Sequence, residues 1–196
     1  MNKTWTRYER VAAILAAVTL ACICKVALAA LAVGAIAPDF TAPAALGGKT
    51  FTFSLAEALK KGPVVLYFYP KAFTKGCTIE AHNFAEASER FQALGATLIG
   101  MSNDDIETLK EFSVKECRNK FAVAADSGAR IIKQYDAAML LFPDRADRIS
   151  YVISPDGKVI YTYASLSPDN HVENTLKAVR DWYAAVKAQG GINISN

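Results

Sequence analysis

The 196-residue sequence predicts one α/β domain, a central mixed sheet flanked by helices. Three observations carry this. The run Pro63–Tyr69 is apolar and rich in β-branched and aromatic residues, the make-up of a strand buried on both faces. Amphipathic helical patterns alternate with short apolar runs along most of the chain, the signature of strands separated by covering helices. Two strand-like runs around a tight turn, followed by a long amphipathic segment, close the sequence. From Ala30 onward there is no internal repeat, low-complexity tract or linker, so residues 30–196 read as a single domain.

Taken in order, a hairpin is expected near the start, around Phe40 and Thr50–Phe53. The strand Pro63–Tyr69 follows. A helix from about Gly76 to Leu94 puts Phe84, Ala87, Phe91 and Leu94 on one face, and Gly95 is its stop signal. Thr97–Ser102 reads as the next strand. Asp104 or Asp105 can cap a helix that runs on to about Cys117–Lys120, with Ile106, Leu109 and Phe112 inward. A short strand at Phe121–Ala125 and a short helix around Ala129–Tyr135 come next. Ile149–Ile153 and Lys158–Tyr163 flank the turn Ser154-Pro155-Asp156-Gly157 and form a hairpin. The helix Pro168–Lys187 carries Leu176, Val179, Trp182 and Tyr183 as its inner stripe. A β-α-β opening with a β-β-α close gives a thioredoxin-like core, whose first half is parallel because helices separate its strands.

The first 29 residues have a different character. Lys3, Arg7 and Arg10 precede an uncharged fourteen-residue run, Val11–Cys24, and Ala27-Leu28-Ala29 follows as a small-x-small site. This is the layout of a secretory signal peptide with cleavage near Ala29. The run is shorter than the roughly 20 residues needed to cross a bilayer. Lys25 departs from the pattern and leaves an uncleaved membrane anchor as the alternative. The expected location is therefore exported and periplasmic, with a membrane association only if the leader is retained.

Without the leader, 18 of the 22 basic and 18 of the 19 acidic residues remain, a formally neutral domain. That balance gives no electrostatic footprint for nucleic acid. Cys77 and Cys117 are the cysteines left in the domain, and His82 and His171 are its only histidines. These are too few, and too far from metal-ligand spacing, for a zinc centre, and no cofactor is expected.

The chemistry concentrates in Val64–Phe84. The apolar run breaks at Pro70, and the spacing is Pro70-x-x-x-Thr74-x-x-Cys77, with the cysteine where the next helix begins. The free N–H groups and partial positive charge of a helix N-terminus favour a thiolate, the nucleophilic form of cysteine. Open α/β sheets place their chemistry at the carboxyl ends of central strands, and Cys77 would lie there.

Pro70-x-x-x-Thr74-x-x-Cys77 resembles the active-site signature of the peroxiredoxins, most closely the bacterioferritin-comigratory-protein or PrxQ group. The likeness extends over roughly residues 31–186. Leu31–Thr41 resembles the family's opening segment, Arg148–Lys158 the strand that supplies its active-site arginine, and Asn170-His171 the approach to its last helix. The resemblance implies a thiol peroxidase reducing hydrogen peroxide and organic hydroperoxides. In it Cys77 is the peroxidatic nucleophile and passes through a sulfenic acid. Thr74 supplies a hydroxyl to thiolate and peroxide, Pro70 shields the thiolate, and Arg148 favours the thiolate and polarises the peroxide. The implied partners are the peroxide and a thioredoxin-like or other dithiol reductant, with the chain acting as a monomer.

The departures matter too. Phe73-Thr74-Lys75-Gly76-Cys77 stands where many members read Asp-Thr-Pro-Gly-Cys. His82 occupies the position, five residues after the peroxidatic cysteine, where many PrxQ members carry the resolving thiol. Some members carry it in the following helix, and Cys117 lies near that place, so the resemblance implies an intramolecular Cys77–Cys117 disulfide. A one-cysteine cycle with an external resolving thiol, and a redox sensor or holdase on the same fold, are the alternatives. A thiol–disulfide oxidoreductase would want Cys-x-x-Cys, which the domain lacks.

Overall fold

Val64–Phe68 (β3) has five apolar or aromatic residues and no charge, and all five are buried. Such a strand can sit only in the interior of a sheet covered on both faces. In the computed structural model, which describes residues 30–188 and Gly190, β3 is the fifth of seven strands in the order β2-β1-β5-β4-β3-β6-β7. The others are Thr41–Leu46 (β1), Lys49–Ser54 (β2), Thr97–Ser102 (β4), Ala122–Ala125 (β5), Ile149–Ile153 (β6) and Val159–Ala164 (β7). β3, β4 and β5 run parallel, whereas β6 lies antiparallel to β3 and β1 antiparallel to β5. The sheet is mixed, with its parallel part where helices intervene. The opening hairpin β1–β2 also joins this sheet, through Ala44 opposite Ala124 and Ala45 opposite Val123.

Alternate residues of β3 serve opposite layers. Leu66 and Phe68 enter a core with Phe40, Leu55, Ile131, Ile132, Tyr135 and Tyr151. Val65, Tyr67 and Tyr69 enter the other layer with Cys77, Phe84, Phe91, Phe112, Cys117 and Leu176. The first layer is roofed by the short helices Leu55–Leu59 (α1) and Arg130–Gln134 (α4). The second is roofed by Lys75–Ala93 (α2), Ile106–Lys115 (α3) and His171–Ala188 (α5).

α2 ends as expected at Gly95, whose φ of +68° lets the Gly95 and Ala96 N–H groups turn back to the Gln92 and Phe91 carbonyls. α1 was not foreseen; it is only five residues long, with Ser54 as its N-cap accepting from the Glu57 N–H. α3 is capped by Asp105, whose side chain accepts from the Thr108 N–H at 2.9 Å. It stops at Lys115 rather than running to Cys117–Lys120. The Glu116 and Cys117 N–H groups both return to the Phe112 carbonyl, and Arg118 and Asn119 then take left-handed φ values of 52° and 58°. Cys117 thus lies in a turn beyond the helix. On α5, Leu176 and Val179 are buried, but Trp182 and Tyr183 are half-exposed and flank the inner stripe instead of forming it. The leader and cleavage site expected within residues 1–29 lie outside the described residues.

Candidate active site

Strand register assembles the site. Phe68, the last residue of β3, pairs with Ile149, the first residue of β6. The residue before Ile149 is therefore delivered to the carboxyl end of β3, where the chain turns through Pro70–Thr74 into α2. That residue is Arg148.

Thr74 is the N-cap of α2, with extended backbone, and its carbonyl accepts from the Thr78 N–H at 2.9 Å. Phe73 before it holds φ at 61°, a costly conformation for a bulky side chain, while its ring packs edge-on against Phe112. Cys77 is the third residue of α2 and only 1% exposed. Its Sγ receives Arg148 Nη2 at 3.5 Å. The helix terminus and the guanidinium thus present positive potential to one sulfur.

Arg148 is itself buried and fixed at three points. Nε donates to the Leu166 carbonyl at 2.9 Å, Nη1 pairs with Glu80 Oε2, and Nη2 reaches Cys77. Burial works against its charge, yet Glu80 and the Cys77 sulfur together hold it above its usual value. Gly76 makes room for the fork, since a Cβ there would stand 2.9 Å from Nη2.

Glu80 lies one turn after Cys77 and is fully buried. Burial pushes its carboxyl up to about 8, against the pull of Arg148. Its Oε1 has no hydrogen-bond partner among the described residues and faces His171 Nδ1 at 3.6 Å. His171 Nε2 contacts the Ser165 carbonyl at 3.0 Å, and a carbonyl only accepts, so the proton is on Nε2. Nδ1 then accepts from Ser150 Oγ at 2.8 Å. Burial, with Arg148 adding to it, pulls His171 down to about 4, so the ring is neutral at pH 7.

Of the residues expected from sequence, Cys77 and Arg148 meet directly. Pro70 is half-buried just past Tyr69, where it borders a polar groove with Lys71, Asn103, Asp104 and Arg145. The Thr74 hydroxyl donates to the Lys71 carbonyl at 2.9 Å, so its proton is committed there and its lone pairs remain to accept. Cys117 shares the core layer of Cys77, but both thiols are free and buried. Burial and then the Glu116 charge push the Cys117 thiol well up. Glu80 was missed from sequence, though its i, i+3 spacing from Cys77 places it on the same helix face. Ser150 had no local signal at all.

The AhpC/TSA family model matches residues 33–162. The chain belongs to the AhpC/TSA family. A chloroplastic peroxiredoxin Q of Triticum aestivum is 36% identical over 149 residues, covering 76% of this chain and 66% of its own length. One from Populus jackii is 36% identical over 134 residues, covering 68% and 61%. The chain thus spans a little under two thirds of those relatives. Among solved structures, peroxidoxin BcpB of Mycobacterium tuberculosis superposes with a TM-score of 0.69 at 29% identity, over 76% of this chain and 96% of that one. Thioredoxin peroxidase I of Plasmodium yoelii gives 0.70 at 25% identity, over 84% and 98%.

Proposed function

We propose that this peroxiredoxin is a thiol-dependent peroxidase that reduces hydrogen peroxide and organic hydroperoxides through Cys77. The observation that carries the reading is Arg148 Nη2 at 3.5 Å from Sγ, with both groups buried at the start of α2. The Cys77 thiolate attacks one peroxide oxygen, the O–O bond breaks, and Cys77 becomes a sulfenic acid. Charge develops on the departing oxygen, which leaves as hydroxide or alkoxide and takes a proton from solvent. A guanidinium already fixed by Glu80 and Leu166 stabilises that charge without reorganising. Thr74 offers hydroxyl lone pairs to the incoming peroxide proton, and Pro70 shields the thiolate.

Resolution is assigned to Cys117, giving a Cys77–Cys117 disulfide that a thioredoxin-like or other dithiol reductant reopens. The bond requires Cα atoms within about 7 Å of each other, and the proposed cycle includes local unwinding around one or both buried thiols to bring them there. A one-cysteine cycle is the second reading, favoured by one fact: Cys117 is packed in the core and held protonated there. The leader pattern supports export to the periplasm, and the chain is taken to act as a monomer.

The test is peroxide consumption with excess dithiol by the wild type, Cys77→Ser and Cys117→Ser. Full activity in Cys77→Ser would sink the assignment. Mass spectrometry after one equivalent of peroxide separates the cycles, because a Cys77–Cys117 disulfide supports the two-cysteine route and a persistent sulfenic acid the other. N-terminal sequencing of the protein from cells reports whether residues 1–29 are removed.

A further inference from the structure

The turn that carries Cys117 is fastened to α2 by a row of charges. His82 Nε2 meets Glu116 Oε2 at 2.7 Å, Glu86 Oε1 meets Arg118 Nη1 at 3.2 Å, and Glu89 Oε1 meets Lys120 Nζ at 3.0 Å. On α2 the three positions are spaced by four and three residues, so they form one stripe along the helix. On the other side 116, 118 and 120 alternate, and Cys117 between the first two turns inward to full burial.

Most other surface pairs of the described residues are local; the exception is Arg90–Glu173, 83 residues apart, which ties α2 to α5 far from Cys117 in sequence. Lys60–Glu57, Lys110–Glu107, Lys115–Glu111 and Lys177–Asp181 each join residues within one helical turn. The three around Cys117 join residues 31 to 34 apart, across two elements. They also hold a turn that is unfavourable in isolation, since Arg118 and Asn119 both keep left-handed φ values without glycine. Such backbone persists only where surrounding contacts over-determine it.

We propose that His82, Glu86 and Glu89 are positioning residues of the resolving half-reaction: by clasping the 116–120 turn they set how often Cys117 leaves its pocket to meet the oxidised Cys77. The inference rests on the reading of Cys117 as the resolving thiol. In the step itself the Cys117 thiolate attacks the sulfur of the Cys77 sulfenic acid. The S–S bond forms, the S–O bond breaks, and the leaving hydroxide takes up the proton that Cys117 released, giving water. While Cys117 stays clasped, a second peroxide can carry the sulfenic acid on to sulfinic acid. The clasp therefore also sets sensitivity to overoxidation. Its members are partly exposed, so ionic strength weakens it.

The experiment is rapid-quench mass spectrometry of the full chain after a peroxide pulse, timing Cys77 oxidation and disulfide formation separately. Wild type is compared with Glu86→Arg, Arg118→Glu and the double swap. Each single reversal is expected to speed the disulfide step about two- to fivefold, the range of a partly exposed ion pair, and to lower the sulfinic yield. The double swap is expected to restore the wild-type rate, which a general loosening of the fold would not do. The oxidation rate of Cys77 stays the same in all four. A disulfide step equally fast in all four overturns the inference alone. A wild-type chain that never forms the Cys77–Cys117 bond overturns the two-cysteine reading and the clasp with it.

Discussion

Cys77 and Cys117 sit in the same core layer, both free and both nearly inaccessible to solvent. Their surroundings differ in sign. Cys77 lies in the first turn of a helix with a guanidinium on its sulfur. Cys117 lies past a helix C-terminus beside the carboxylate of Glu116, and its thiol is pushed up by burial and by that charge. Burial is common to both, so it does not assign either role. The two thiols differ in the charge delivered within a few ångströms, and in the proposed cycle that difference separates the nucleophile from the resolving thiol.

The largest test of this contrast is Cys77→Ser. It should lower kcat/KM for peroxide by about a thousandfold or more, because nothing else in the site supplies the nucleophile. Arg148→Ala should follow, with a loss on the order of 10²–10³ in the rate of Cys77 oxidation measured by stopped flow. The same change leaves the buried Glu80 carboxyl without its hydrogen-bond partner, and chemical denaturation should show a cost of about 1–3 kcal/mol. Gly76→Ala, whose new methyl meets Nη2, should slow oxidation about ten- to a hundredfold by displacing the guanidinium.

Acid stability reports on His171, the neutral ring that faces Glu80 behind Arg148. The folded-state pKa of His171 is depressed to about 4 from 6.5. Its contribution to stability is therefore complete above pH 6.5 and is lost as the pH falls toward 4. In His171→Gln the decline in unfolding free energy across that window should shrink by roughly 2–3 kcal/mol. The smallest effect belongs to Cys117→Ser. The first oxidation of Cys77 should stay within about twofold of wild type, while burying a hydroxyl costs about 1–3 kcal/mol of stability. A large fall in the first oxidation rate would erase the division of labour between the two cysteines.

Much of the fold was legible because it is written in short-range pattern. β3, β4, β6 and the body of α2 follow from uninterrupted burial or from helical periodicity, and Gly95 ends α2 by its backbone freedom. The failures fall where tertiary contacts override local pattern. The stretch after Lys115 contains neither Gly nor Pro; Asn119 tolerates a left-handed φ, but nothing local announces one at Arg118. Trp182 and Tyr183 continue the helical spacing of Leu176 and Val179, yet they flank the buried stripe and lie only half under cover. The site divides in the same way. The thiol and its helix terminus are local, and Glu80 was readable one turn on. Ser150 and the Glu80–His171 contact depend on how β6 and α5 dock, which no spacing encodes.

The contact between Cys77 and Arg148 spans 71 residues of chain. During synthesis the thiol emerges long before its guanidinium, and the two meet only when β6 zips onto the edge of β3. Until then residue 77 is a cysteine with no cation and no pocket. The proposed arming of the sulfur by its cation therefore waits on a pairing of distant strands, and a chain that has not yet joined β6 to β3 lacks it.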